Sequence, residues 1–141
     1  METFLATMGQ VFVRLVEMHG IDAQALVRKA GIDPASLRDP GARIPSSAGD
    51  AVVAQAAALI PDPAFALRAA RCWHPSNLGA LGHAWLASST LRTGLERLGR
   101  YGRILGEQAE IKLANSRDGL RFVYAHRRRD PNVRVETYTR R

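Results

Sequence analysis

The sequence predicts an α+β fold: an N-terminal bundle of short helices over about residues 1 to 105, then a small antiparallel sheet over about 106 to 141, truncated at its C-terminal edge. Three observations predict it. Between His74 and Leu105, apolar residues recur at helical spacing, with Leu78, Leu81 and Trp85 on one face and Leu91, Leu95, Leu98 and Leu105 as an inward stripe after a break at Ser88-Ser89. Before that stretch, Gly20, Gly31, Pro40-Gly41 and Pro61 cut the chain into short helical units. After it, the period changes from helical to alternating. A chain of 141 residues is long enough for one domain with a real core and too short for two.

In chain order, the first helix is expected from about Thr3 to His19, burying Phe4, Met8, Val11, Phe12 and Leu15, with Gly20 ending it. Asp22 is placed to cap a helix through Ala30, closed by Gly31, and Pro34 to Leu37 gives one more turn. Ser46 or Ser47 starts an alanine-rich helix through Ile60, with Asp50 in a capping-box position. Asp62 and Pro63 open another through about Arg71, burying Phe65 and either Leu67 or Ala69. Gly79 and Gly82 fall inside the next helix and mark close packing there. Then Ala109, Ile111 and Leu113 alternate with polar neighbours, Asn115 to Gly119 makes a turn, and Leu120, Phe122 and Tyr124 form the return strand. Val133, Val135 and Thr137 begin a third strand that the chain leaves uncovered, the pattern of a fragment of something longer.

Composition narrows the function classes. The longest apolar run, Ala51 to Ile60, is interrupted by Gln55 and too short to span a bilayer, and no basic residue precedes Arg14 to start a secretory signal. A single cysteine, Cys72, excludes an internal disulfide, and the location expected is the cytoplasm. The net charge of +7 lies entirely in residues 91–141, with thirteen basic and six acidic residues; residues 1–90 hold seven of each. Eighteen of the twenty basic residues are Arg, a bias that phosphate binding alone does not require.

No chemistry-bearing constellation emerges from the spacing. Cys72, His74 and His83, with His19 and His126 remote, lack the paired spacing of a zinc site, so neither metal nor cofactor is expected. Ser76, Ser88 and Ser89 lie in no GxSxG elbow, so no catalytic residue is assigned and an enzyme is not expected. The segment ALVRKAGIDPASLR has the outline of a helix-turn-helix, but its second helix is short and lies between Asp33 and Asp39, which repel phosphate. Arg127-Arg128-Arg129 reads as a solvated hairpin end, with a contact to nucleic acid or to a missing domain as the alternative. On the second helix of the His74 to Leu105 stretch, Arg92, Glu96, Arg100 and Arg103 lie off the leucine stripe, with Arg92/Glu96 and Glu96/Arg100 four apart, where opposite charges meet.

The stretch LGALGHAWLASSTLRTGLERLGRYGRIL resembles the signature of the N-terminal regulatory, arabinose-binding-like domain of AraC-type transcription regulators. The matching features are the Leu-Gly-x-Leu-Gly helix at Leu78 to Gly82, the Ser/Thr-Leu helix start at Ser88 to Leu91, and Arg100-Tyr101. GIDAQALVRKAGID, ARIP and DPAFALRAA are similar to the family as well, so the resemblance spans essentially the whole chain. It implies a cytoplasmic module that senses a small-molecule effector, often dimerises, and controls a C-terminal domain with two helix-turn-helix units. That second domain is not in this chain, so DNA contact is expected only through it, and the effector need not be arabinose. A pocket is expected where the bundle meets the sheet, near Trp73, His74, Trp85, Tyr101 and Phe122, and a contact between domains or subunits at Arg92, Glu96, Arg100 and Arg103. The competing expectation is direct nucleic-acid binding by the basic residues 91–141.

Overall fold

The computed structural model describes residues 1–126, and the expected third strand and the Arg127 to Arg129 run lie outside them. Five α-helices occur among the described residues: α1 Gly9–Glu17, α2 Ala23–Lys29, α3 Ser46–Leu59, α4 Ala80–Leu86 and α5 Leu91–Tyr101. There are two separate two-stranded antiparallel sheets, β1 Thr3–Leu5 with β2 Arg43–Pro45, and β3 Ala109–Ser116 with β4 Gly119–His126. Short 3-10 turns at Ala6–Met8, Pro34–Arg38, Phe65–Arg71, Pro75–Leu78 and Gly102–Ile104 connect them. The α+β class and the order of helices before the hairpin are those expected.

Side-chain caps open two of the five α-helices, α2 and α5, and the Pro34–Arg38 turn. The Asp22 carboxylate accepts a hydrogen bond from Ala25 N at 3.1 Å and caps α2, and Asp33 caps the following turn through Ala35 N at 2.9 Å. Asp62 accepts from Ala64 N at 2.9 Å and pairs with Arg68 at 3.1 Å; the backbone bond is the main reason its carboxyl is held below its usual value. Thr90 caps α5 through Thr93 N at 3.1 Å. The capping box at Ser47 and Asp50 does not form: α3 begins at Ser46, straight out of Pro45, with no side-chain cap. In the turn after Asp62, Phe65 is buried with Ala69 packed beside it, whereas Leu67 is exposed.

The N-terminus departs from expectation. Residues 3–5 are a strand and not the first turn of a helix, because two segments distant in sequence satisfy their backbone. β2 pairs with one side, Phe4 opposite Ile44, and on the other side Leu5 N donates to Leu105 O at 2.8 Å. The Arg43 guanidinium fastens all three segments, donating to Thr3 Oγ1 at 2.8 Å, Ile104 O at 2.7 Å and Thr3 O at 3.1 Å.

Three apolar clusters form the core. Leu15 and Val16 of α1 pack with Leu26, Ala56, Ile60, Phe65 and Cys72; Val27, Ile32, Leu37, Ile44 and Val52 make a second; Leu5, Leu81 and Leu105 make a third, with Leu78 and Leu98 against it. The leucine stripe of α5 is therefore only partly inward. Leu91, the first residue of its helix, is 68% exposed, and the buried position is Gly94, where the Trp85 ring lies against the helix backbone. Gly82 is a close-approach position as expected: a Cβ there would sit 1.7 Å from Pro75 O. Gly79 lies between the Pro75–Leu78 turn and α4, outside both, at a φ of 58° that favours glycine.

The hairpin is tighter than the five-residue turn expected, with Ser116 opposite Gly119 and two residues between them. Ile111 faces Tyr124 and Leu113 faces Phe122 on one side of the ribbon, and Gly99 and Gly102 allow Ile111 to approach the end of α5.

Candidate functional site

A cleft of about 520 Å³, partly open to solvent, lies where the helices meet the hairpin. Phe4 and Met8 reach it from the N-terminal segment, Phe12 from α1, Val53 from α3, Trp73 from the link into the Pro75–Leu78 turn, and Tyr124 from β4. Its size is within the range of small-molecule sites. Glycines set its shape: Gly49 in α3 brings that helix so close to Phe4 that a Cβ would lie 2.7 Å from the ring, and Gly9 at the start of α1 does the same for Leu37.

Polar groups in the wall are few and mostly engaged. Asn77 is 1% exposed; its Oδ1 accepts from His74 N at 2.7 Å and its Nδ2 donates to Thr7 O at 3.2 Å and Gln10 Oε1 at 3.3 Å. The Gln108 amide donates to the Glu2 carboxylate. Ser46, Asp50, the Trp73 indole and the Tyr124 phenol are the other polar side chains of the lining, and desolvation pushes that phenol above its ordinary value. Among the described residues lining the cleft, none is Lys, Arg or His.

The structure does not bring the five expected pocket residues together. Trp73 lines the cleft. His74 is exposed and caps the Pro75–Leu78 turn, its Nδ1 accepting from Ser76 N at 3.2 Å. Trp85 packs against Gly94 between α4 and α5. Tyr101 borders a separate groove between α5 and β3, which Glu96 and Arg100 also line. Phe122 stands 36% exposed on β4. The cleft-lining Phe4, Met8 and Phe12 were legible only as an apolar face at helical spacing, with nothing to separate them from core; Tyr124 was legible only as one of an alternating set.

The charged face of α5 also differs from its expected pairing. Arg92 donates to Asn115 Oδ1 at 2.9 Å across to the hairpin, and neither Arg92/Glu96 nor Glu96/Arg100 forms an ion pair. All four residues, Arg92, Glu96, Arg100 and Arg103, are exposed. Arg97, not singled out by the sequence, holds the two helices together by donating to Ala84 O at 2.6 Å and Ser88 Oγ at 2.8 Å. Among the described residues, no three His, Cys, Asp or Glu side chains are grouped to hold a metal ion, and no helix is long and apolar enough to cross a membrane.

The family model for the N-terminal arabinose-binding domain of the AraC transcription regulator matches residues 20–139. No curated protein matches the chain.

Proposed function

The chain belongs to the family of the N-terminal arabinose-binding domain of AraC transcription regulators, and on that premise we propose that it senses a small-molecule effector and controls an attached helix-turn-helix DNA-binding domain. The observation that supports this most directly is the cleft between the helices and the hairpin. A ligand there touches the N-terminal segment, α1, α3 and β4 at once, so its binding energy favours one relative placement of those elements. The whole chain acts as one sensing and dimerisation unit under this reading. DNA contact is made by the other domain, and α5 offers Arg92, Glu96, Arg100 and Arg103 to that domain or to a second subunit.

Thermal-shift screening of the chain against small metabolites tests the proposal. A ligand at a hundred times its Kd stabilises the folded state by about 2.7 kcal/mol, a shift of several degrees for a domain of this size. A broad screen without any shift, together with no self-association at micromolar concentration, would sink the sensing role. Duplex DNA binding by this chain alone, weakening steeply with salt, would instead favour direct nucleic-acid recognition through residues 91–141.

A further inference from the structure

We propose that the cleft selects an uncharged, mainly hydrocarbon effector with at most a small polar end, in preference to a free sugar or an anion; this rests on the sensing role argued above. The wall is built from Phe4, Met8, Phe12, Val53 and Trp73 with aliphatic neighbours. A monosaccharide carries several hydroxyls, each of which must find a partner when buried or forfeit its hydration. The wall offers few: Asn77 has already placed its amide donor and acceptor, and the Gln108 amide is held by Glu2. Ser46 and Tyr124 remain as neutral hydroxyls, enough for one alcohol, carbonyl or ether oxygen.

Charge narrows the class further. An anionic ligand entering an apolar site needs a cation or a cluster of donors to replace its water. No Lys, Arg or His lines the cleft among the described residues, and the carboxylate that lines it, Asp50, offers an anion no donor. The Asp50 carboxylate already has an interaction of its own, so a cationic ligand is not favoured by an unmatched charge. The hydrocarbon part carries the affinity, and each methylene added within the cleft strengthens binding about fourfold.

Calorimetric titration of the 141-residue chain with 1-hexanol, 1-octanol, 1-decanol, decanoate, decylamine and L-arabinose tests the inference. The expected result is affinity rising along the alcohols, 1-decanol at least about tenfold tighter than decanoate or decylamine, and no heat from L-arabinose. Ala70→Trp, at an exposed position of the Phe65–Arg71 turn that lines the cleft, should abolish alcohol binding with an unchanged circular-dichroism spectrum. Val53→Arg should reverse the preference between decanol and decanoate. Decanoate, decylamine or arabinose binding at least as tightly as decanol, and blocked by Ala70→Trp, overturns the ligand class and leaves the sensing role standing. Alcohol binding untouched by both variants places the site elsewhere and overturns the inference. Silence from all six probes overturns it and removes the cleft's support for sensing.

Discussion

Thr7 and Asn77 exchange two hydrogen bonds across a sequence separation of 70 residues: Thr7 Oγ1 donates to Asn77 O at 2.9 Å, and Asn77 Nδ2 donates to Thr7 O at 3.2 Å. Both residues are buried. This exchange joins the Ala6–Met8 turn to the Pro75–Leu78 turn directly behind the cleft, which Asn77 also lines. Asn77→Ala takes a side-chain partner from Thr7 O, which keeps the Gly9 N–H, and from the part-buried His74 N–H, at a cost of about 2 kcal/mol for two hydrogen bonds worth roughly 1 kcal/mol each. Thr7→Val removes one donor and costs about 1 kcal/mol. Urea unfolding measures both, and a loss below about 1 kcal/mol for Asn77→Ala would show that the exchange contributes little to stability.

Two glycines of the helical hairpin make opposite predictions. A methyl at Gly82 would lie 1.7 Å from Pro75 O, a backbone atom that a rotamer change cannot move aside. Gly82→Ala therefore forces α4 away from its preceding turn and costs about 3 kcal/mol or more. At Gly94 the added methyl meets the Trp85 ring at 3.4 Å, ordinary contact. Gly94→Ala also gains the helix propensity that glycine lacks, about 1 kcal/mol, so its stability should equal or exceed that of the parent chain. Thermal melts of the two variants give the comparison, and equal losses would contradict it.

How much of this was legible in the sequence depends on whether the determinant is local. Asp22, Thr90 and Pro61 mark helix ends within a few residues of themselves, and the alternation from Ala109 to Tyr124 marks a hairpin by its period. The pairing of β1 with β2 has neither signal. Each strand is three residues long, and the central pair, Phe4 and Ile44, lies 40 positions apart, as do Arg43 and Thr3. Phe4 and Met8 extend the helical spacing of α1 only because both face the same interior. The cleft was beyond reach for the same reason: its wall draws on segments from Phe4 to Tyr124, and no spacing rule connects them. Trp73, Trp85, Tyr101 and Phe122 are aromatic residues of the right kind distributed over different faces.

Tyr124 gives the cleft a pH signature. Its phenol is held above the ordinary value of 10.0 by desolvation, so the folded chain keeps the proton to a higher pH than the unfolded chain does. Below pH 10 both states are protonated and the group leaves stability unchanged. As pH rises past the unfolded value toward the folded one, the unfolded state sheds its proton first and stability falls. Tyr124→Phe should flatten that alkaline decline in urea midpoints. A ligand seated against the ring deepens the desolvation, so ultraviolet titration of the phenol should move to still higher pH when the cleft is filled. No movement on saturation would place the ligand away from β4.

The exposed face of α5 yields a prediction about association. Arg92, Glu96 and Arg100 recur every four residues and so share one side of the helix. Arg92 is tied to Asn115, but Arg100 makes no ion pair among the described residues and borders the groove that holds Glu96 and Tyr101. If this face meets a second subunit, a two-fold contact uses each residue twice, and Arg100→Glu introduces its reversed charge twice. Self-association should weaken at least about tenfold, with the loss reduced at high salt. The fold should be unaffected, within about 0.5 kcal/mol, because the side chain is exposed. Sedimentation velocity across a concentration series measures the first effect and urea unfolding the second. Arg117→Glu, at the hairpin turn, serves as the charge-matched control. Equal association in the parent chain, Arg100→Glu and Arg117→Glu would remove α5 as a subunit contact.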